Sequence, residues 1–253
     1  MADKATLPSM RVAALYDVHG MLPALEAVLA EVEREDVDLL VFGGDLTWGP
    51  WPAETAAFLQ ALDRPARFVQ GNAEVTVLDL AEGREADVGD GGRWIAASHD
   101  AGAVEFVRSY EPFTNVDVDG LGPVRFVHGS PRSVIEIVTA ETPLERLAEA
   151  FDGVAERTVV SGHCHLQFDR PTPIARSVNP GSIGLPYHDE PGACWALLGP
   201  DVELRVTPID REALAARIRQ TAYPDADRIA EVVLHPPTVA EVVADGEKRV
   251  FSN

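Results

Sequence analysis

Apolar positions in the first quarter of the chain alternate between two periods. Residues 11–16 (Arg-Val-Ala-Ala-Leu-Tyr) form a short apolar run that predicts a buried strand ending at Asp17. Between 22 and 35 the apolar residues include positions 22, 25, 28, 29 and 32, the spacing of one helix face. Residues 39–42 predict the next strand, 52–62 the next helix with Pro52 in its first turn, and 66–69 a third strand. Strand–helix–strand–helix–strand at this spacing is a βαβαβ unit with a parallel sheet.

Further on the pattern loosens. Residues 93–110 predict a helical pair broken near 100–102. Strands then dominate, at 114–119, 124–127, 158–161, 176–178, 195–198 and 202–208, with one helix at 143–151. Strand-rich sequence after a βαβαβ start predicts an α/β protein of two packed sheets flanked by helices. Residues 1–208 are expected to form the domain. Residues 209–253 are helical in pattern, broken at 223–224 and 235–237, and are expected to pack on that domain.

Composition narrows the function. The chain has 253 residues, 46% of them apolar, enough for a substantial core. It carries 41 acidic against 21 basic residues, a net charge of −20, and only two lysines, Lys4 and Lys248. Polyanions are held by clustered Lys and Arg, so tight nucleic-acid binding and attachment to an anionic membrane are not expected. A phosphate substrate is compatible with this charge only where metal ions supply local positive charge. No transmembrane run and no secretory signal are apparent, and two cysteines, Cys164 and Cys194, make no disulfide framework. These features lead us to expect a cytoplasmic protein; homo-oligomerisation stays open.

Five polar clusters each follow a predicted strand: Asp17-Val18-His19, Gly43-Gly44-Asp45, Gly71-Asn72, His128-Gly129 and Gly162-His163-Cys164-His165. In parallel α/β sheets, ligands bind beyond the carboxyl ends of the strands. Carboxylate, imidazole and amide oxygen together suit divalent cations such as Mn²⁺, Fe²⁺, Zn²⁺ or Co²⁺. If the backbone there is extended, alternate side chains share a face, so Asp17 pairs with His19 and His163 with His165 while Cys164 points away.

The ordered clusters resemble the calcineurin-like metallophosphoesterase superfamily, in particular its compact bacterial and archaeal phosphodiesterase branch, over roughly residues 11–208. The motifs 128–132 and 179–184 look like flanking motifs of that branch. The resemblance implies a four-layer αββα sandwich and a dinuclear phosphoesterase, with a diester the expected substrate and a small phosphate ester the expected partner. One metal would be held by Asp17, His19, Asp45 and His165, the second by Asp45, Asn72, His128 and His163, with Asp45 bridging. Mn²⁺ is the first choice of metal, with Fe, Zn, Co and Ni as alternatives. A hydroxide shared by the two ions would attack phosphorus in line, with Asp45, Asn72 and His128 as the catalytic residues. Arg132, Asn179 and His188 are candidates for contacting substrate.

One position departs from the family pattern. Ala73 stands where the family usually has a histidine that protonates the leaving oxygen. His99 and His188 are the histidines outside the ligand set and the tail that would substitute for it. Otherwise the leaving group needs no acid, or the fold is a catalytically weak metal-binding scaffold, as in a eukaryotic retromer subunit of this fold. A phosphomonoesterase or protein phosphatase with the same metals is the remaining alternative.

Overall fold

In the computed structural model the described residues are 10–84, 87–187 and 192–249. The chain opens with β1 (Val12–Leu15), α1 (Leu22–Val32), β2 (Leu39–Phe42), α2 (Pro52–Gln60) and β3 (Ala66–Phe68). Every residue of β1 and β2 is buried, as continuous apolar runs demand of strands covered on both faces. They pair in parallel with Val12 opposite Leu39, and β2 pairs in parallel with β3. Three helices follow: α3 (Asn72–Ala81), α4 (Gly89–Ala97) and α5 (Ala101–Arg108).

A second sheet is built from β4 (Thr114–Val118), β5 (Gly122–Phe126), β6 (Thr158–Val160), β7 (Gln167–Arg170) and β8 (Arg176–Pro180), with α6 (Leu144–Ala150) between β5 and β6. The chain then returns to the first sheet through β9 (Gly192–Leu198) and β10 (Val202–Pro208), and ends in α7 (Arg211–Ile218), α8 (Ala226–Leu234) and α9 (Val239–Gly246). The strand orders are β10-β9-β1-β2-β3 and β4-β5-β6-β8-β7, both mixed in direction.

Three apolar clusters show the layers. Val12, Ala14, Tyr16 and Val41 of the first sheet interlock with Val116, Val124, Phe126, Val160 and Val178 of the second. The outer face of the first sheet, with Leu15, Leu40, Phe42 and Trp195, packs against α1, α5, α7 and α8. The outer face of the second packs Val127 and Val159 against Leu147 and Ala150 of α6. This is the αββα arrangement. Two elements escape the apolar pattern: α3, whose start lies inside a glycine motif, and the edge strand β7, which has one apolar residue. None of the described helices is long and apolar enough to cross a membrane.

Helices α7 and α8 put Leu214, Ala215, Ile218, Ile229, Ala230 and Val233 into the same cluster as Met21 and Leu25. Truncating a fully buried aliphatic side chain typically costs about 2–5 kcal/mol. Ile218→Ala, at a site with no exposure, is therefore expected to lower stability by about that amount in urea unfolding, within one cooperative transition. A separate early transition would mean that the C-terminal helices fold as a unit of their own.

Candidate metal centre

The turns after β1, β2, β5 and β6 and the start of α3 all meet at one end of the two sheets. Tyr16 Oη donates to the Val160 carbonyl across them at 3.2 Å, and Asp17 Oδ2 accepts the His163 N–H at 3.0 Å. Among the described residues, five non-glycine residues have positive φ: Asp17 (51°), His19 (50°), Asp45 (54°), His163 (65°) and His165 (60°). The expectation of extended backbone at these motifs is thus corrected. The side chains converge because the backbone turns through the left-handed region, which costs a non-glycine residue about 1–3 kcal/mol. Cys164 does turn away; its thiol is buried, accepts from Asn179 Nδ2 at 3.2 Å, and burial pushes it up to about 12.

Close approach explains the glycines. A Cβ on Gly71 would lie 2.3 Å from Asp45 Oδ1, and one on Gly44, at φ +95°, would lie 2.7 Å from His128 Nδ1.

Two groups of ligand atoms result. Asp17, His19 and His165 form one, and Asp45, His128 and His163 the other, with the atoms of each within 4.8 Å of one another. Asp45 lies between them, its Oδ2 3.9 Å from His19 Nε2 and its Oδ1 3.4 Å from His128 Nε2. Asn72 joins the second group, its Oδ1 3.0 Å from His128 Nε2.

The imidazoles are oriented by carbonyls. His19 Nδ1 meets the Trp48 carbonyl at 3.2 Å, His128 Nδ1 the Gly43 carbonyl at 2.9 Å, and His165 Nδ1 the Leu185 carbonyl at 2.9 Å. A carbonyl only accepts, so each of these Nδ1 atoms carries a proton, and the Nε2 atoms are the ones turned toward the other ligand candidates. His19 Nε2 and His165 Nε2 face each other at 2.9 Å. Burial, and next the charge on His165, hold His19 below its usual pKa, which keeps its lone pair available. Burial and then the charge on His128 push His163 down to about 4, so it too is neutral at neutral pH.

Asp17 Oδ1 is buried, accepts no hydrogen bond, and sits 3.5 Å from His165 Nε2. Burial alone would raise the Asp17 pKa, but the facing histidines, His165 first, lower it and keep the carboxylate charged. At His128 burial works against protonation, yet the Asp45 and Asp17 carboxylates prevail and raise its pKa. Imidazole nitrogens converging beside two buried carboxylates, with Asp17 Oδ1 left unpartnered, are the chemistry of a cation site, and this donor set fits divalent ions.

One member of the site was not assigned a role from sequence. Glu74 is fully buried, and its two oxygens accept the backbone N–H groups of Asp45, Leu46 and Gly71, each at 2.8 Å. Burial and then the neighbouring Asp45 push its pKa up to about 7. The readable signal is an acid three residues after Gly71, the N3 position of a helix. Next to it the Ala73 N–H donates to Asp45 Oδ1 at 2.8 Å, so the start of α3 also steadies that carboxylate.

The other candidates are placed differently. Asn179, expected to touch substrate, is fully buried; Nδ2 donates to the Gly162 carbonyl and Oδ1 accepts from the Gly181 N–H, so it braces the His163–His165 turn. Arg132 closes both arms of its guanidinium on Glu136, at 2.9 and 2.6 Å, which commits it within its own loop. His99 spends Nδ1 on the Ile95 carbonyl and Nε2 on Thr47 Oγ1, so it has no nitrogen left for a leaving group. His188 lies outside the described residues.

A family model described as the calcineurin-like phosphoesterase superfamily domain matches residues 10–200. The chain belongs to the calcineurin-like phosphoesterase superfamily. The match takes in all the ligand candidates, and the superfamily implies divalent metal ions in its site. Among solved structures, a metallophosphoesterase from Sphaerobacter thermophilus is similar at 23% identity and TM-score 0.69, over 90% of this chain and 99% of that one. A hypothetical protein from Pyrococcus horikoshii OT3 is similar at 18% identity and TM-score 0.74, with the same shares covered. At these identities the shared property is the fold. No curated protein matches the chain.

Replacing Glu74 by Gln keeps the shape but sets an amide against backbone N–H donors, so at least one of the three bonds is lost. Removing the support behind a metal ligand typically costs about 10–100-fold in metal affinity. Calorimetric titration of Glu74→Gln with Mn²⁺ is expected to show a loss of that order, and unchanged affinity would remove Glu74 from the support of the site.

Proposed function

We propose that the protein is a dinuclear phosphodiesterase acting on a small phosphate ester, with Mn²⁺ as the preferred metal. The observation that carries this reading is the convergence of His19 Nε2, His165 Nε2 and the unpartnered Asp17 Oδ1 beside a second group of ligands that shares Asp45. Asp17, His19 and His165 would hold one ion, Asp45, Asn72, His128 and His163 the other, with the Asp45 carboxylate between them. Two such cations supply Lewis acidity and neutralise the charge of a phosphoryl group. The chain's own part is to present imidazoles fixed by carbonyls, carboxylates steadied by N–H groups, and a single carboxylate common to both halves.

The diester preference rests on the resemblance to the phosphodiesterase branch, and what stands at position 73 bears on the leaving group. A methyl group there delivers no proton, and His99 is occupied elsewhere. The leaving oxygen then departs with little help, which suits an ester whose alcohol is acidic. The overall charge of −20 argues against polymeric anions and for a small ester drawn in by the metals.

Metal-loaded protein is expected to hydrolyse bis-p-nitrophenyl phosphate faster than p-nitrophenyl phosphate, and to lose both activities on chelation. Asp45→Asn is expected to abolish turnover, because a neutral amide holds two cations poorly. Stoichiometric metal without turnover on either ester would turn the assignment toward a metal-binding scaffold.

General acid catalysis is typically worth about 10²–10⁴-fold. Ala73→His is therefore expected to accelerate diesters with poorly leaving alkoxides much more than p-nitrophenyl esters, with a melting curve checking that the buried position accepts the ring. Equal acceleration of both would show that proton delivery does not limit the rate.

A further inference from the structure

Of the seven ligand side chains, Asn72, His19 and His163 keep some exposure, and the other four are buried. His163 opens into a cleft of about 400 Å³, within the range of small-molecule sites. Its walls include Cys164, Ile137 and Tyr187 of the domain and Val242, Asp245 and Arg249 of the C-terminal segment. The Tyr187 ring stacks on His165 at 4.8 Å between centroids, so it connects the ligand cluster to the cleft. The wall formed by α9 lies beyond residue 200, where the family match ends.

That wall is fastened to the domain. Val243 is buried against Cys164, Leu166 and Phe168. Gly246 comes so near that a Cβ there would stand 2.9 Å from Ile137 Cγ2. One residue on, Glu247 accepts from Thr139 Oγ1 at 2.7 Å and Thr142 Oγ1 at 2.8 Å, and pairs with Arg146 at 3.2 Å. At its start, Thr238 and Glu241 cap the helix reciprocally. Along the same segment, Arg249 and Asp245 pair at 2.6 Å, four residues apart.

We propose that α9 is the specificity wall of the site: the organic group of the substrate lies between Tyr187 and α9 while its phosphoryl group meets the metal ligands. This rests on the phosphoesterase reading above. The mixed lining suits such a group, with Ile137, Tyr187 and Val242 offering apolar contact and the Asp245–Arg249 pair closing the polar rim. Metal ligands alone, common to the superfamily, do not choose among esters; a wall supplied by the C-terminal helix does.

The test compares phenylphosphonate with methylphosphonate on the Mn²⁺-loaded full chain by calorimetry. Both carry the same head group and neither is hydrolysed, so their affinity ratio isolates the organic group. The parent protein is expected to favour the phenyl compound by about tenfold or more. Asp245→Trp, at an exposed helix position, fills the cleft and is expected to bring the ratio toward one. Val242→Ala widens it and is expected to shift preference toward naphthylphosphonate. A ratio unmoved by both substitutions, in folded protein that binds both phosphonates, overturns the wall. Failure of either phosphonate to bind overturns the phosphoesterase reading instead, and the inference falls with it.

Discussion

The structure turns on an excess of acceptors over donors in one buried place. His19 Nε2 and His165 Nε2 point lone pairs at each other, Asp17 Oδ1 has no donor, and Asn72 Oδ1 and Asp45 Oδ1 both face His128 Nε2. Such a gathering is unfavourable in a protein interior unless positive charge occupies it. The backbone adds to the cost, because all five of the described non-glycine residues with positive φ are ligand candidates. Strain confined to these residues is a marker of function that holds independently of any family resemblance.

What keeps these groups in place is the meeting of two sheets. β1 and β2 of the first sheet and β5 and β6 of the second end at the same edge, so turns from separate halves of the chain interleave. Gly162 N–H reaches the His128 carbonyl at 2.6 Å, and Ser182 Oγ donates to the Asp17 carbonyl at 2.7 Å. Around them Glu74 and Asn179 act as braces, each fully buried and each spending its polar atoms on the backbone of a ligand-bearing turn. These braces absorb backbone groups around the ligand candidates, so that Asp17 Oδ1 keeps no donor, while Asp17 Oδ2 and Asp45 Oδ1 accept the His163 and Ala73 N–H groups.

The opening strands and helices were legible because β1 and β2 are uninterrupted apolar runs and α1 has a clear apolar face. That these polar residues belong to one site was legible from cluster chemistry and order, and the structure brings them together. Direction was not. An extended reading of Asp17 to His19 reached the right side chains by the wrong geometry, since left-handed φ values leave no periodic trace in the sequence. Carbonyl partners such as those of Gly43, Trp48 and Leu185 carry no sequence signal at all. Asn179 and Arg132 have the chemistry to hold a phosphate, and only contacts show that one is buried and the other engaged by Glu136. Of the two elements absent from the pattern, β7 is a four-residue edge strand whose register is set by its neighbour β8, a tertiary effect. Residues 72–81 do carry apolar positions, but their first turn reads equally well as a glycine motif loop.

Charge and shape then divide the work of recognition. With a net charge of −20 the surface offers an approaching phosphate no general attraction, so favourable charge is confined to the place where cations would sit. Head-group recognition is therefore local, and discrimination among esters has to come from contacts a short distance away. Helix α9 is suited to that task because Val243, Gly246 and the following Glu247 fasten its C-terminal half to the domain, while Val242 and Asp245 border the cleft beside His163. A wall fixed in this way is already ordered before substrate arrives, so contacts along it avoid much of the entropy loss that a loose tail would incur on binding.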